Sequence, residues 1–220
     1  MKNIKAIIFD AYGTLFDVNS AAEKCKEKIG DKWEAFANYW RTTQLEYTWL
    51  RSLMKRHKDF WQVTEDSLDK SMKVFSIDSS MRDELLDLYK ILSPYSEVTK
   101  VLKSLRNKKY KISILSNGTP SLLNTLVKSN NLENLFDDIF SIEEVGIYKP
   151  DSKVYDMPIK KYKIKNNEVT FLSANTWDVS GGGNYGFNAI WVNRNNNIFD
   201  NLDYKPKHEI KSLEQLLNLI

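Results

Sequence analysis

Short apolar segments that end abruptly in polar residues constrain the fold of this chain most strongly. The first covers residues 5–9, where four consecutive apolar residues precede Asp10. A run of this length is typical of a strand that is buried on both faces, as the strands of parallel sheets are. Similar runs follow much later in the chain, at residues 111–115, 138–141, 169–172 and 189–192. Together these runs predict a sheet of short, buried strands.

Segments with helical periodicity separate the predicted strands. They cover residues 97–106, 121–129, 153–162 and 213–219. Strands that alternate with helices form a parallel sheet with helices on both faces. Because crossover connections between parallel strands are right-handed, few topologies remain. The sequence therefore predicts an α/β fold with a Rossmann-like, doubly wound parallel sheet.

One long stretch breaks this alternation. Residues 19–92 show helical periodicity and no convincing strand, and apolar residues from Trp33 to Trp40 recur at three- and four-residue spacing. A helical block inserted directly after the first strand is expected to lie over the sheet as a cap. We therefore predict a Rossmann-like core domain of residues 1–18 and 93–220, with residues 19–92 as an inserted helical cap subdomain.

Composition and charge exclude several classes of function. The chain has 32 Lys and Arg against 29 Asp and Glu, and its net charge of +3 is too small and too dispersed to favour nucleic-acid binding. No apolar run approaches the roughly 20 residues of a membrane span, and the first strand begins too early to leave room for a signal peptide. The single cysteine, Cys25, excludes an internal disulfide and a thiolate metal cluster. We expect a cytosolic protein that binds neither nucleic acid nor membrane.

Polar residues follow the predicted strands at the edge where parallel sheets bind their ligands. Asp10 and Thr14 follow the first strand, and Lys149 precedes the fourth. The remaining two stretches are Ser116-Asn117-Gly118 and Ser173-Ala174-Asn175-Thr176-Trp177-Asp178. A solvated loop residue is the simplest interpretation of any one of them. Together they would bring two carboxylates, a hydroxyl and a lysine into one crevice. This arrangement favours a functional site over a set of solvated loop residues.

These stretches resemble the motifs of the haloacid dehalogenase superfamily. The matching segments are 10–15 (DAYGTL), 116–118 (SNG), 149–150 (KP) and 173–178 (SANTWD). Residues 40–51, which read WRTTQLEYTWLR, resemble the cap helix of the L-2-haloacid dehalogenases in particular. The resemblance extends nearly end to end. It implies an enzyme that hydrolyses short-chain L-2-haloalkanoic acids to D-2-hydroxy acids.

Two positions depart from the phosphatases that make up most of this superfamily. Those enzymes usually carry an acid two residues after the nucleophile, and a carboxylate pair in the fourth motif that holds magnesium. This chain has Tyr12 at the first position and Asn175 in the fourth motif, whereas Mg²⁺ prefers carboxylate oxygens. The resemblance therefore implies a site without metal or other cofactor. A phosphatase that acts on a small metabolite through Asp10 remains an alternative, as does a non-catalytic binding protein on the same fold.

The resemblance also assigns a role to each residue that handles the reaction. Asp10 is expected to attack the halogen-bearing carbon and form an aspartyl ester, and Asp178 to activate the water that hydrolyses this ester. Lys149 is expected to keep Asp10 ionised. The remaining residues of this set are expected to position these groups, and they are Thr14, Ser173, Asn175 and Tyr155.

A second set of residues is expected to hold the substrate. Ser116 is predicted to bind the substrate carboxylate, while Arg41 from the cap and Asn117 donate to the departing halide. The predicted apolar wall around the alkyl group consists of Tyr12, Leu45, Phe60 and Trp177. Plain core packing explains Leu45 and Phe60 equally well.

Three further features carry smaller expectations. Residues 181–186 (GGGNYG) satisfy a dinucleotide-binding pattern, but the fourth motif separates them from the preceding strand. We expect instead a helix that starts near Asp178, packs on the sheet and is loosened by its glycines. His57 and His208 are expected to be structural or solvent-facing. Exposed aromatic residues on the long cap helix, together with the resemblance, predict a homodimer.

Overall fold

A parallel sheet forms the centre of the protein. The computed structural model describes residues 3–108 and 110–220. In these residues the strands are β1 Ala6–Phe9, β2 Lys111–Ser116, β3 Asp138–Ser141, β4 Val169–Ser173, β5 Asn188–Val192 and β6 His208–Ile210. All neighbouring strands are parallel, in the order β3-β2-β1-β4-β5-β6. The predicted Rossmann-like, doubly wound sheet is confirmed, and its order reverses beside β1, where such sheets form their ligand crevice.

The helices begin where the sequence supplies caps. The α-helices are α1 Ser20–Lys24, α2 Lys26–Ile29, α3 Trp33–Leu53, α4 Phe60–Phe75, α5 Arg82–Tyr89, α6 Val98–Arg106, α7 Pro120–Ser129, α8 Ser152–Tyr162 and α9 Thr176–Tyr185. The side chain of Asp59 accepts a hydrogen bond from the first turn of α4, and Thr119 caps α7 in the same way. Short 3₁₀ helices cover Ser79–Met81, Glu133–Leu135, Ile142–Glu144, Asn166–Glu168 and Leu213–Asn218. Within the described part of the chain, no helix has both the length and the hydropathy that crossing a membrane requires.

β1 sets the position of the candidate site. All of its residues are completely buried, which matches the uninterrupted apolar run. Phe9 pairs with Ile114 of β2 and with Leu172 of β4. One residue further, the backbone N–H of Asp10 donates to the Leu172 carbonyl at 2.9 Å. Asp10 therefore emerges at the carboxyl edge of the sheet, beside the ends of both neighbouring strands.

The chain leaves and re-enters the core at two adjacent points. Phe16 forms an isolated antiparallel bridge with Pro94. The backbone N–H of Asp17 donates to the Ser93 carbonyl at 2.8 Å. Because the two connections run side by side, the helices between them can fold as one insertion on the core. On this basis we propose the core and cap boundaries that the sequence predicts.

Two details of the fold differ from the prediction. The strand His208–Ile210 has no predicted counterpart, because only Ile210 of its residues is buried and no apolar run marks it. The segment predicted as a helix at 213–219 forms the 3₁₀ helix Leu213–Asn218. Neither difference affects the edge of the sheet where Asp10 lies.

The glycines of α9 allow close packing. A Cβ on Gly181 would lie 2.5 Å from the Tyr155 hydroxyl oxygen, and one on Gly182 would lie 2.7 Å from Cδ1 of Phe171. Protein interiors are packed too densely to absorb such overlaps without movement. The expected start of the helix near Asp178 and its close packing are confirmed, while the loosening of the helix by its glycines stays a prediction.

Candidate active site

Asp10 follows β1 directly, and donors surround its carboxylate. The residue is 5% exposed. Its Oδ2 accepts hydrogen bonds from Thr14 Oγ1 at 3.0 Å, Ser173 Oγ at 3.2 Å and Asn175 Nδ2 at 2.8 Å. Among the described residues, Oδ1 has Lys149 Nζ at 3.1 Å as its one hydrogen-bond partner. The two oxygens therefore differ, because Oδ2 is held in place and Oδ1 keeps an open side.

Lys149 joins the two acids of the site. Its side chain is completely buried, and Nζ lies 3.1 Å from Asp10 Oδ1 and 2.8 Å from Asp178 Oδ2. Burial lowers the pKa of Lys149, but the two adjacent carboxylates outweigh burial and raise that pKa above its usual value. The backbone N–H of Lys149 donates to Asn117 Oδ1 at 3.1 Å. Lys149 is therefore a fixed cation that contacts both carboxylates.

Asp178 is completely buried in the first turn of α9, where the helix dipole favours an acid. Its Oδ1 accepts a hydrogen bond from Tyr155 Oη at 2.7 Å, and its Oδ2 accepts one from Lys149. Burial raises the pKa of Asp178 to about 6, with Lys149 opposing the rise and the charge of Asp10 adding to it. Burial and the Asp178 charge raise the pKa of Tyr155 well above its usual value, so the phenol stays a donor. Asp178 can thus orient Lys149 and also take up a proton near pH 6.

The turn after Asp10 is held from several sides. Thr14 Oγ1 donates to Asp10 and accepts from the backbone N–H of Ala174 at 2.8 Å. Gly13 has a φ of 85°, a conformation that favours glycine. Arg194 donates to the carbonyls of Gly13 and Thr14 at 3.4 and 2.9 Å. Arg194 therefore connects the turn after the candidate nucleophile to the segment after β5. The sequence analysis assigns no role to this residue.

The segment after β2 supplies the predicted donors to an anion. Ser116 is buried, and its Oγ accepts a hydrogen bond from the Gly118 N–H at 3.1 Å. In the part of the chain that the structure describes, the hydroxyl proton of Ser116 is left for another acceptor. Asn117 is also buried and uses its Oδ1 to accept from the Lys149 N–H. Both side chains therefore keep donor hydrogens for an anionic substrate.

Aromatic rings from the core and the cap meet above the sheet. The ring of Tyr12 lies 5.1 Å from that of Phe60 and stacks on Tyr89 at 5.7 Å, measured between ring centroids. Trp177 makes an edge-to-face contact with Trp49 at 5.4 Å. Tyr89 and Trp49 are absent from the predicted wall, because helical periodicity alone explains them as core residues. These rings form an aromatic wall shared by core and cap, and its role in binding a substrate stays a prediction.

Arg41 and Leu45 lie one turn apart on α3, and both are half-buried. Nη1 of Arg41 donates to Gln44 Oε1 at 2.8 Å. Burial raises the pKa values of Tyr12 and Tyr89, and the nearby charge of Arg41 opposes both rises. The guanidinium therefore lies beside the aromatic wall, on the cap side of the site.

Gln44 is a buried polar residue that the sequence analysis misses. It lies on the apolar stripe of α3, four residues after Trp40 and eight after Phe36. A glutamine at such a position must find partners for both ends of its amide. The signal is therefore present in the sequence as a polar residue on an apolar face, although the partners themselves are visible only in the folded chain.

Core residues hold the cap loop that leads into α4. His57 Nε2 lies 2.8 Å from Glu143 Oε2, and Glu143 Oε1 accepts from the Phe60 N–H at 3.2 Å. Tyr148 Oη donates to the Lys58 carbonyl at 2.6 Å. His57 is thus a structural residue at the contact between core and cap, and this contact fixes the backbone that carries the Phe60 ring.

The donors around Asp10 do not suit magnesium. A metal held between Asp10 and Asp178 would have to occupy the place of the Lys149 ammonium. Asn175 turns its Nδ2 donor toward Asp10 rather than its oxygen. Within residues 3–108 and 110–220, no group of three or more His, Cys, Asp or Glu side chains could hold a metal ion. The donor set therefore fits a side-chain cation rather than a metal.

The structure gathers the predicted chemical residues at one edge of the sheet. Those that contact the Asp10 carboxylate directly are Thr14, Lys149, Ser173 and Asn175. Asp178 and Tyr155 are connected to it through Lys149. Arg41 and Leu45 approach from the cap without a hydrogen bond to Asp10. The individual roles of all these residues stay predictions.

Comparison with known proteins identifies the family. The chain matches the haloacid dehalogenase-like hydrolases over residues 4–186 and belongs to that family. An (S)-2-haloacid dehalogenase of Pseudomonas fluorescens is 39% identical over 99% of this chain and 97% of its own length. Haloacetate dehalogenase H-2 of Moraxella sp. (strain B) is 34% identical over 100% of this chain and 99% of its own.

A solved structure extends the likeness to the fold. The L-2-haloacid dehalogenase of Xanthobacter autotrophicus, with chloropropionic acid covalently bound, superposes on this chain with a TM-score of 0.91. The two chains are 31% identical, and the match covers 98% of each. The resemblance that the motifs carry is thereby confirmed.

Proposed function

We propose that the protein hydrolyses short-chain L-2-haloalkanoic acids to D-2-hydroxy acids through an aspartyl ester on Asp10, without a metal. The observation that carries the proposal is the unequal environment of the Asp10 oxygens. Three donors hold Oδ2, whereas the Lys149 ammonium is the one partner of Oδ1 in the described part of the chain. Relatives named as dehalogenases that align with nearly the whole chain support the same reaction. A family structure with covalently bound chloropropionic acid supports a covalent intermediate.

In the first step, Oδ1 of Asp10 attacks the halogen-bearing carbon from the side opposite the halogen. A carbon–oxygen bond forms, the carbon–halogen bond breaks, and the halide leaves with the bonding electrons. A carboxylate is a weak nucleophile, so positioning must supply much of the acceleration. The hydrogen bonds to Oδ2 fix the carboxylate and thereby aim Oδ1. A single displacement inverts the carbon, which converts an L substrate into a D product.

The substrate is an anion with an apolar group, and the two sides of the site divide its binding. Ser116 and the backbone after β2 are the proposed donors to its carboxylate. Arg41 from the cap and Asn117 from the core are the proposed donors to the departing halide. The proposed wall around the alkyl group consists of Tyr12, Leu45, Phe60 and Trp177. Packing of these apolar side chains would also keep excess water from the reacting carbon.

In the second step, water attacks the acyl carbon of the Asp10 ester. Asp178 is the proposed base that accepts a proton from this water. Its pKa of about 6 in the free enzyme means that Asp178 is mostly ionised near neutral pH. Lys149 offsets the negative charge that develops on the acyl oxygen. Collapse of the tetrahedral intermediate then breaks the bond between the acyl carbon and the product oxygen. That oxygen takes up the proton, the 2-hydroxy acid leaves, and Asp10 is regenerated.

Halide release and product chirality test the proposal. The purified protein should release chloride from L-2-chloropropionate and form D-lactate. A chelator should leave the rate unchanged, because the cation beside Asp10 is Lys149. Recovery of L-lactate would require two inversions or direct retention and would contradict the mechanism. Magnesium-dependent release of phosphate from an aryl phosphate, without halide release, would favour the phosphatase alternative.

We also propose that the enzyme is a homodimer that works in the cytosol. Large apolar side chains are exposed at the end of α3, with Leu50 at 50%, Leu53 at 80% and Met54 at 61%. The aromatic residues of α3, which the sequence analysis expects to be exposed, are buried or half-buried. The exposed side chains of Leu50, Leu53 and Met54 therefore support the homodimer instead. The lone cysteine, Cys25, is a free thiol, as suits a reducing compartment. Light scattering should give twice the chain mass, and Leu53→Asp should reduce it to one chain.

A further inference from the structure

A network of buried neutral groups lies beside Arg41 in the cap. Gln44 is 1% exposed. Its Nε2 donates to Thr64 Oγ1 at 2.7 Å and to Tyr89 Oη at 3.0 Å, while its Oε1 accepts from Arg41 Nη1 at 2.8 Å. Thr64 in turn donates to the Phe60 carbonyl at 2.7 Å. One amide thus connects the cap arginine to the backbone and the rings of the predicted wall.

The chemistry of its partners determines which way the Gln44 amide points. A guanidinium can only donate, so the atom that faces Arg41 must be the oxygen. The hydroxyl proton of Thr64 is used on the Phe60 carbonyl, so its oxygen is free to accept from Nε2. The reversed amide would set two donors against each other at Arg41. The Tyr89 hydroxyl can accept from Nε2 and can also donate to Oε1 at 3.3 Å, so it is compatible with the same amide orientation. The network is therefore satisfied with Oε1 toward Arg41, and it holds Nη1 of Arg41 in one place.

The partner of Arg41 differs in kind from the partners of other arginines in the chain. Four of them pair with carboxylates, as Arg51–Asp66, Arg82–Asp69, Arg106–Asp137 and Arg194–Glu97, whereas Arg56 forms no ion pair in the part of the chain that the structure describes. Within the described residues, Arg41 forms no such ion pair and is held by the Gln44 amide instead. A carboxylate would fix the guanidinium but also neutralise it. A neutral acceptor fixes its orientation and leaves its full charge available to an anion.

We propose that Gln44 is a positioning residue that aims the Arg41 guanidinium at the departing halide. This inference rests on the proposed dehalogenase function of the same site. An arginine side chain has many rotamers, and ordering it only when the substrate arrives would cost conformational entropy in every turnover. Gln44, held by Thr64 and Tyr89, orders Arg41 before the substrate binds. Its contribution therefore appears in the first step, when the halide leaves, and not in hydrolysis of the ester.

The test compares two leaving groups in Gln44→Met, which keeps the length of the side chain and removes both ends of the amide. Chloride needs more stabilisation as it leaves than bromide, because bromide is the better leaving group. We expect kcat/KM to fall about tenfold for L-2-chloropropionate, equivalent to about 1.4 kcal/mol, and about threefold for L-2-bromopropionate. Gln62→Met is the matched control, since Gln62 lies on the exposed face of α4 and bonds only Asp66 through its side chain among the described residues. It should leave both rates and their ratio unchanged.

Gln44→Glu separates orientation from charge. The new carboxylate would still face Arg41 but would neutralise it, as Asp66 does for Arg51 and Glu97 for Arg194. We expect this variant to lose more kcat/KM with the chloro substrate than Gln44→Met, although its contact with Arg41 is stronger. A variant more active than Gln44→Met would show that a free charge on Arg41 is not what the glutamine preserves, and would overturn the inference.

A double-mutant cycle shows whether Gln44 acts through Arg41. In an Arg41→Met background, the further change Gln44→Met should have no additional effect on the bromo-to-chloro ratio. If Gln44→Met fails to fold, Thr64→Val replaces it, because this change removes the acceptor of Nε2 at nearly constant volume. It should shift the same ratio in the same direction.

The possible outcomes separate this inference from the proposed function. If the native protein releases no halide from either substrate, the proposed function itself is wrong. If the native protein is active but the variants slow both substrates equally, or if their effects add fully to that of Arg41→Met, Gln44 only stabilises the cap. Either of these last two results would overturn the positioning role while leaving the dehalogenase activity intact.

Discussion

The core and cap halves of the site are held together by different forces. In the core, Lys149 lies between Asp10 and Asp178, and all three side chains are buried. In the cap, a neutral group, the buried amide of Gln44, accepts a hydrogen bond from Arg41 and donates to Thr64 and Tyr89. Removing one member of a buried ion pair typically costs about 3–5 kcal/mol, whereas leaving a neutral buried group unpaired costs about 1–3 kcal/mol. The core half should therefore tolerate change far less than the cap half.

The difference follows from what each half must do. The nucleophile has to be aimed before the substrate arrives, and the donors to Oδ2 together with the fixed Lys149 cation at Oδ1 hold the Asp10 carboxylate in place. In the proposed function the cap receives an anion and releases a halide, which requires Arg41 to keep its charge. Charged partners therefore suit the core, and neutral partners suit the cap. The following predictions test this contrast, beginning with the largest expected effect.

Removal of the nucleophile should have the largest effect. Asp10→Asn keeps the shape of the side chain but replaces a carboxylate with an amide, which is a far poorer nucleophile. Halide release should fall roughly 10⁴-fold or more, as for other essential catalytic groups. Asp83→Asn is a matched control, since Asp83 is 92% exposed on α5, and it should retain full activity. A covalent adduct on the Asp10→Asn protein, detected by mass spectrometry, would contradict this assignment.

Removal of the base should divide the reaction into its two steps. Asp178→Asn leaves Asp10 able to react but removes the group that activates water. The ester should accumulate as a mass increase on the peptide that carries Asp10, and its hydrolysis should slow by roughly 10²–10⁴-fold. Because Asp178 also orients Lys149, the first step should slow as well, by a smaller factor. Rapid turnover without accumulated ester would show that another group supplies the base.

The pH dependence of ester hydrolysis should report the ionisation of Asp178. Burial raises its pKa to about 6 in the free enzyme, and the negative charge of Asp10 contributes to the rise. The ester has no such charge, so the pKa of Asp178 should be lower in the intermediate. The base acts only when ionised, so hydrolysis should proceed fully above this pKa. Below it the rate should fall about tenfold per pH unit.

Rapid-quench measurement of the preformed ester between pH 4 and pH 8 tests this dependence. We expect the rate of ester hydrolysis to fall only toward acid pH, with the midpoint of this fall below about pH 6. A midpoint above that of the free enzyme would mean that the charge of Asp10 does not raise the pKa of Asp178. Such a midpoint would also show that the charges of Asp10 and Asp178 are not coupled through the core half of the site.

The contact between cap and core should have the smallest effect. Glu143→Gln removes the charge that faces His57 but keeps an oxygen that can accept from the Phe60 N–H. Both side chains of this pair are partly exposed, at 30% and 21%, so the pair should contribute about 1 kcal/mol or less. Steady-state kinetics should show at most about a fivefold loss in kcat/KM. A hundredfold loss would show that the cap half depends on charge as strongly as the core half.

Sequence reasoning recovers the core half of the site more completely than the cap half. Asp10 is visible because it ends an apolar run, and the register of parallel strands places it beside Ser173. Lys149 and Asp178 are visible because motif residues at strand ends converge on one edge of the sheet. In the cap, Arg41 is visible only through the resemblance. Gln44 is marked only by its position on an apolar stripe, which says that it needs partners without saying which.

The chain sequence by itself determined the strands β1 to β5, the helical character of the segment after β1 and the identity of the acid at the end of β1. These follow from local patterns, because hydrophobic periodicity and strand-end residues act over a few positions of the chain. Only the tertiary structure decided that Tyr89 and Thr64 share the Gln44 amide, and that Arg41 is held by a neutral group. Such contacts join helices that are distant in sequence, and their geometry depends on how the helices pack. Hydrogen bonds are directional and short-ranged, so no local pattern can specify them.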